Sequence, residues 1–216
     1  MYLHTIDKTT LSFGLKKSTQ FHGLIVVLLT ILAGSICQTC VANEKSPHRP
    51  ILTQSKPKQG RLHNTLWAQV AKRHQLDPYV LYAVALVESR KDGAQNQSTP
   101  WPWALNHSGK AIVPKSKQEA VNTLNQLLES GERNVDVGMM QVNLRWHGHR
   151  VAKPETLLDP RTNLDVGASL LAEAMQSAPD NLALGVGRYY SWKNRQAAIE
   201  YGQKVIALAE QLRSFI

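Results

Sequence analysis

Cysteine is nearly missing from this chain of 216 residues, which has only Cys37 and Cys40, both near its start. A Cys-x-x-Cys spacing is typical of metal and redox sites, but this pair lies in a segment with the features of a cleaved signal peptide. Once that segment is removed, no cysteine remains and no disulfide can stabilise the chain. The fold must then depend on a packed hydrophobic core, for which a single domain of this length is large enough.

Long apolar runs are also scarce, and the most continuous one, residues 23–34, is only about 12 residues long. A helix that spans a bilayer needs roughly 20. Three lysines precede the run, and Cys40-Val41-Ala42 follows it with small residues where a signal peptidase requires them. We therefore predict a secretory signal peptide over residues 1–42 and a periplasmic location. An uncleaved membrane anchor and a lipid attached to one of the cysteines are the alternatives.

Runs of five or more basic residues are missing, although the formal net charge is +9. Scattered charges of this kind disfavour a nucleic-acid interface. Residues 1–42 contain three lysines and one aspartate, so their removal leaves a charge of +7. For an exported protein, a basic surface favours anionic lipid or a polymer that carries carboxylates.

The predicted organisation is a signal peptide over residues 1–42, a flexible linker rich in Lys, Pro, Ser and Gln over residues 43–62, and one domain over residues 63–216. The pattern of the domain is mainly helical. Asn64 is a candidate N-cap of the first helix. Asp77-Pro78 predicts the start of a second helix, which is apolar on almost every side and is therefore expected to be buried.

The rest of the domain is predicted from its start signals and its apolar spacing. Residues 103–113 predict a small β-hairpin around His107-Ser108-Gly109-Lys110. Ser116 and Glu119 form a capping box, and Asp159-Pro160 begins a further helix. Two more helices are expected at about residues 181–190 and 195–212. The predicted fold class is mainly α with one small β-hairpin.

Glu88 lies near the end of the apolar helix, in the segment Ala85-Leu86-Val87-Glu88-Ser89-Arg90. Glutamate is rarely buried without a reason, and an apolar pocket raises the pKa of a carboxyl group. A carboxylic acid that stays protonated near neutral pH can donate a proton to a glycosidic oxygen. The alternative is a solvent-exposed glutamate in the last helical turn, paired with Arg90 or Lys91.

An apolar stretch broken by glycine, Val137-Gly138-Met139-Met140-Gln141-Val142-Asn143, is the second unusual feature. It indicates a close approach of the backbone to another group, with amide side chains at its rim. The alternative is a core strand or short helix in which the methionines fill gaps.

Together and in this order, these segments resemble the family-1 lytic transglycosylases, whose SLT-type domain has a lysozyme-like α+β fold. Glu88-Ser89 ends a helix, and the Gly-Met-Met-Gln-Val-Asn segment is similar to the Gly-Leu-Met-Gln-Ile-Asn element of that family. The resemblance extends over about residues 64–200. The segments 101–106 and 135–138 further resemble the branch encoded with conjugative elements and type IV secretion systems.

The resemblance implies roles for individual residues. Glu88 would be the single catalytic acid and base, and Ser89 would orient it or the leaving sugar. Met140 and Gln141 would line the cleft, and Tyr189 would direct its hydroxyl at Glu88 or at the substrate.

Asn143 and Tyr190 complete the substrate-binding residues that we expect in the cleft. The chain departs from the family pattern at two places. Met139 replaces a usual Leu, which is a tolerable change of volume. Tyr190 stands where Asn is usual and no Gly follows Ser191, so this wall of the cleft is expected to differ from that of the family.

Two other groups are weaker candidates. His147-Gly148-His149 has no acidic or cysteine partner nearby, so we expect a loop rather than a metal site. Asp136 is the carboxylate nearest in sequence to the glycine-methionine segment and is the candidate for a second catalytic acid. We expect a structural role for it, because the related enzymes work with one carboxylate.

The resemblance implies cleavage of the bond between N-acetylmuramic acid and N-acetylglucosamine in peptidoglycan, with a 1,6-anhydro product and without metal or cofactor. It also implies local opening of the wall for a conjugative or secretion apparatus. The alternatives are a muramidase that hydrolyses the same bond and a non-catalytic glycan-binding subunit of a secretion system.

Overall fold

The computed structural model describes residues 62–93 and 98–215. The predicted signal peptide, the cleavage site and nearly all of the predicted linker lie outside the described residues. Within the described part of the chain, no helix combines the length and the apolarity needed to cross a membrane.

Helices form most of this domain, and side-chain caps begin several of them. Asp77 accepts hydrogen bonds from the backbone N–H groups of Tyr79 and Val80, and Asp159 and Ser116 cap their helices in the predicted way. The first cap is a correction, because Thr65 and not Asn64 accepts the bond from Ala68. The helices are α1 (Leu66–Arg73), α2 (Pro78–Ser89), α3 (Lys117–Glu129), α4 (Leu144–His147), α5 (Pro160–Gln176), α6 (Leu182–Gly187) and α7 (Arg195–Phe215).

The physical reason for the correction at the first cap lies in the backbone. An N-cap residue needs an extended conformation, which Thr65 has with ψ of 169°. Asn64 instead has φ of 64°, in the left-handed region.

The predicted hairpin is confirmed, and it belongs to a larger antiparallel sheet than expected. Its strands are β3 (Leu105–His107) and β4 (Lys110–Ile112), and the sheet continues in the order β4-β3-β5-β6 with β5 (Val135–Val137) and β6 (Val142–Asn143). A separate two-stranded sheet consists of β1 (Arg90–Asp92) and β2 (Ser98–Pro100), directly after α2. The sequence therefore underestimated the β structure by predicting a single hairpin. The mainly α, lysozyme-like α+β fold class is confirmed.

The four-stranded sheet has one apolar and one polar face. Leu105, Val137 and Val142 lie opposite one another in register, and all three are buried in the core. One position away, Asp136 lies opposite Asn106 on β3 and Asn143 on β6. Because side chains alternate along a strand, this polar row occupies the other face of the sheet.

The buried helix α2 packs against α1, α7 and strand β2. Its residues Leu81, Ala83, Val84 and Ala85 have no solvent-exposed surface, as expected from its apolar sequence. Helices α6 and α7 approach each other very closely, because a Cβ atom at Gly187 would overlap the backbone of Ala198. This contact fixes the segment after α6 against the first turn of α7, next to the candidate site.

Candidate active site

Glu88 lies in the last turn of α2 and is half-buried. The hydroxyl of Tyr201, in the second turn of α7, donates a hydrogen bond of 2.5 Å to its Oε1 atom. The two residues are 113 positions apart in the sequence. The packing of α2 against α7 therefore holds the carboxyl group in place from across the domain.

The environment of Glu88 raises its pKa from an ordinary 4.5 to about 7. The main cause is burial, which disfavours the charged form. The hydrogen bond from Tyr201 opposes this rise, the negative charge of Asp136 adds to it, and the positive charge of Lys204 opposes it. A group with this pKa is divided between acid and base near neutral pH, as a single residue must be if it first donates and then accepts a proton.

Ser89, the next residue, joins α2 to the segment that follows β5. Its hydroxyl lies 2.8 Å from the carbonyl oxygen of Met139 and 3.0 Å from that of Ala85, and accepts from the backbone N–H of Trp101 at 3.2 Å. Ser89 is buried, and these three bonds run to backbone groups. It therefore holds the end of α2, and thus Glu88, against the turn formed by residues 138–141.

That turn is stabilised by Asn163, a fully buried residue of α5. The Asn163 side chain donates to the carbonyl of Val137 and accepts from the N–H of Met140, both at 2.8 Å. Gly138 has φ of +78°, and a Cβ atom there would overlap the Asn163 side chain. The glycine that we singled out in the sequence is thus required by a close approach of the backbone to a buried amide.

Gln141 closes the same turn and also has a left-handed backbone, with φ of 46°. Its side-chain nitrogen donates to the carbonyl of Gly138 at 2.8 Å and to that of Ala104 at 3.3 Å. The half-buried Gln141 side chain therefore lies between the turn and the segment that leads into β3.

Met140 does not line the cleft with its side chain, because the residue has no exposed surface. It contributes through its backbone, whose carbonyl oxygen accepts a 2.6 Å hydrogen bond from the hydroxyl of Tyr189. This bond also corrects the expectation that Tyr189 directs its hydroxyl at Glu88, a position that Tyr201 occupies.

Tyr189 nevertheless lies close enough to the site to respond to its charges. Its pKa is raised well above the ordinary value, mainly by burial and further by the negative charges of Glu88 and Asp136. The pKa of Tyr201 is likewise raised well, by burial and then by Glu88. Both phenols therefore stay protonated at neutral pH and serve as hydrogen-bond donors.

Tyr190 stacks on Tyr201, with ring centroids 5.2 Å apart and an interplanar angle of 5°. Asn143 lies in the polar row of the sheet, where its side-chain nitrogen donates to Asp136 at 2.7 Å and to Asn134 at 3.0 Å. Its side-chain oxygen accepts from the backbone of Trp146 and caps α4. Asn143 therefore holds Asp136 from the same side of the sheet.

Tyr201 and Lys204 are not among the site residues that the sequence predicted. A signal for Tyr201 was present, because it lies three residues after Ala198 and four before Val205, on the buried side of α7. A tyrosine on an apolar helix face needs a partner for its hydroxyl. Lys204 is exposed one helical turn further on, and nothing in the sequence around it distinguishes it from other surface lysines.

Among the residues that the structure describes, no group of three or more His, Cys, Asp or Glu could hold a metal ion. The loop expected around His147 and His149 is wrong, because His147 ends α4 and His149 lies in the 3-10 turn Gly148–Arg150 that follows it directly. Burial, followed by the positive charges of Arg150 and His149, lowers the pKa of His147.

The family model described as the Transglycosylase SLT domain matches residues 65–201 of the chain. The match is longer than half of the sequence and includes Glu88, the turn at residues 138–141 and Tyr201. Neither a curated protein nor a solved structure matches the chain significantly. The chain therefore belongs to the Transglycosylase SLT domain family and is a peptidoglycan lytic transglycosylase, a lyase that acts on the cell wall.

Proposed function

We propose that Glu88 is the single catalytic acid and base, and that the enzyme cleaves the β-1,4 bond between N-acetylmuramic acid and N-acetylglucosamine. The observation that carries this proposal is the half-buried Glu88 carboxyl, which is held by Tyr201 and has a pKa of about 7. A pKa near the working pH is the best compromise for a group that must donate and accept a proton in one cycle.

In the proposed reaction, protonated Glu88 donates its proton to the glycosidic oxygen as the bond from that oxygen to the anomeric carbon breaks. The N-acetyl group of the substrate shares the positive charge that develops at the anomeric carbon. The Glu88 carboxylate then takes the proton of the C6 hydroxyl, whose oxygen bonds to the anomeric carbon. The product carries a 1,6-anhydro ring, and Glu88 is protonated again.

Tyr201 supports the first half of this cycle, in which Glu88 gives up its proton. Its hydroxyl donates to Glu88, and a hydrogen bond to a charged acceptor is stronger than one to a neutral acceptor. It therefore stabilises the carboxylate that exists between proton donation and proton recovery. Tyr201 acts through Glu88, so we assign it as a positioning residue.

We assign the binding of the glycan to the cleft around Glu88. Gln141, Asn143 and Tyr190 would contact sugars, while Ser89 and Tyr189 would keep the cleft in shape through their bonds to Met139 and Met140. Ser89 and Tyr189 use their hydroxyls on backbone carbonyls, whereas Tyr190 is exposed. The side-chain nitrogens of Gln141 and Asn143 also bond to the protein, so these two residues would contact a sugar through their side-chain oxygens, which can each accept more than one bond.

A muramidase that hydrolyses the same bond is the second candidate, and Asp136 favours it. Its negative charge acts on both Glu88 and Tyr189, so a second carboxylate lies near the acid. We prefer the single-acid reaction because Asp136 is held by Asn143 within the sheet.

We further propose export by a signal peptide to the periplasm and local opening of the wall for a conjugative or type IV secretion apparatus. The order of charged, apolar and small residues in residues 1–42 supports export. The segments 101–106 and 135–138 support the association with a transfer apparatus.

The test is digestion of purified peptidoglycan by the wild type and by Glu88→Gln, with product masses measured. We expect anhydro products, lighter by one water than hydrolysed ends, from the wild type. We expect a loss of about 10²- to 10⁴-fold in rate from Glu88→Gln. Asp136→Asn is the matched control. If its folded protein is as inactive as Glu88→Gln and the wild type forms reducing ends, the enzyme is a two-carboxylate muramidase.

A further inference from the structure

The ring of Tyr190 is unusual because it is both stacked and exposed. One face lies against Tyr201 in a nearly parallel stack, yet 47% of the Tyr190 surface is accessible to solvent. Because Tyr201 lies against one face of the ring, the face left for a ligand is the opposite one. Tyr190 therefore combines a ring held by a stack with a surface that solvent can reach.

This face lies close to the catalytic acid. The hydroxyl of Tyr201 bonds to Glu88 and its ring supports Tyr190, so a single side chain separates the carboxyl from the exposed ring. The backbone N–H of Tyr190 bonds to the carbonyl of Gly187, at the end of α6. Because α6 and α7 are in close contact at Gly187, the backbone that carries the ring is held in place.

We propose that the free face of Tyr190 is a stacking platform for one pyranose ring of the glycan, near the sugar that carries the bond to be cleaved. The inference rests on the proposed function of the site and assigns a binding mode within it. The C–H face of a pyranose is apolar and can pack on an aromatic ring, while its equatorial hydroxyls remain in water.

A second exposed aromatic residue in the same loop provides a matched control. Trp192 is 63% exposed, but its ring packs on the guanidinium of Arg188 at 5.4 Å. Arg188 in turn donates to the backbone and side chain of Ser177, at the end of α5. Trp192 is therefore tied to another part of the surface, and we do not assign it to the platform.

The binding experiment uses Glu88→Gln as the parent, so that no substrate is consumed, and a tetramer of N-acetylglucosamine as the probe. Titration calorimetry would compare the parent with additional Tyr190→Ala, Tyr190→Asn, Tyr190→Phe and Trp192→Ala changes. We expect Tyr190→Ala and Tyr190→Asn to weaken binding about 2- to 12-fold, as loss of one aromatic packing contact implies. We expect Tyr190→Phe and Trp192→Ala to bind like the parent. Equal binding by all variants, or an equal loss from Trp192→Ala, overturns the platform.

Steady-state kinetics of single variants that retain Glu88 distinguish two roles of Tyr190. It could bind a sugar as a platform, or it could act as a brace, which here means that its ring only holds Tyr201 in position. A platform predicts that Tyr190→Ala raises KM while the pH dependence of kcat stays the same. A brace predicts a fall in kcat and a displaced pH profile, as Tyr201→Phe would give, and that result overturns the proposal. Calorimetry does not depend on catalysis by Glu88. A Tyr190-dependent affinity without anhydro products would therefore contradict the proposed reaction and leave the platform standing.

Discussion

The raised pKa of Glu88 has a consequence for stability that can be measured without any substrate. A group whose pKa is higher in the folded than in the unfolded chain binds protons more tightly when folded. Below the unfolded pKa of about 4.5, Glu88 is protonated in both states and its charge does not affect the free energy of unfolding. As the pH rises from about 4.5 to about 7, the folded state loses stability relative to the unfolded chain. Above that pH the whole cost is present.

The size of this cost follows from the two pKa values. The rise from 4.5 to about 7 corresponds to about 3 kcal/mol, since each tenfold change in proton affinity is worth about 1.4 kcal/mol. This is an upper figure, because part of Glu88 remains accessible to water. Glu88→Gln keeps the shape and an acceptor for Tyr201 but has no charge to bury. It should therefore be more stable than the wild type at high pH.

The assay is urea unfolding of both proteins at about pH 4 and about pH 9, on either side of the transition. We expect the stability of Glu88→Gln relative to the wild type to rise by up to about 3 kcal/mol between the two conditions. Glu129→Gln, at the exposed end of α3, is the control and should follow the wild type at both pH values. A relative stability of Glu88→Gln that is the same at both pH values would refute the reasoning.

Four further outcomes are expected. Tyr201→Phe removes a hydrogen bond that lowers the pKa of Glu88, so the alkaline limb of the pH–rate profile should move to higher pH. The rate should fall by no more than about 10-fold. Asp136→Asn removes a negative charge that raises the pKa of Glu88, so the same limb should move to lower pH. If Tyr201→Phe and Asp136→Asn moved the limb in the same direction, the electrostatic account of the Glu88 pKa would be wrong. Gly138→Ala should lower the free energy of unfolding, measured with urea, by at least about 2 kcal/mol. Gly131→Ala should lower it by only about 1 kcal/mol, because Gly131 has a left-handed backbone but open space around it. N-terminal sequencing of the periplasmic protein should find Asn43 first, whereas an intact Met1 in the membrane fraction would identify an anchor.

Local signals in the sequence were sufficient for much of the fold. Asp77-Pro78 and Asp159-Pro160 begin helices because an aspartate side chain and a proline ring satisfy the first turn without help from distant residues. Asn64 failed as a cap because its neighbour Thr65 has the same capability. The choice between them depends on backbone angles that the residue types leave open.

Strands β5 and β6 were harder to predict because each is two or three residues long. Such a segment has too little periodicity of its own and becomes a strand only by pairing. Strand β5 pairs with β3, about thirty positions earlier, and β6 pairs with β5. The segment around Gly138 was recognised as unusual from its composition. The reason for its glycine, the buried Asn163, lies in a helix that is separate in sequence.

The sequence by itself placed a glutamate in the last turn of the most apolar helix of the domain, and the resemblance to the lytic transglycosylases then selected Glu88 as the expected acid and base. Apolar periodicity and the cost of burying a carboxylate are both local properties. Only the tertiary structure decided that Tyr201 and not Tyr189 bonds to Glu88, that Met140 faces the core, and that Tyr190 keeps one ring face open. The two tyrosine contacts depend on the packing of α7 against α2 and α6, and the burial of Met140 depends on its contact with Gly167 of α5. Both are set by the packing of many side chains together.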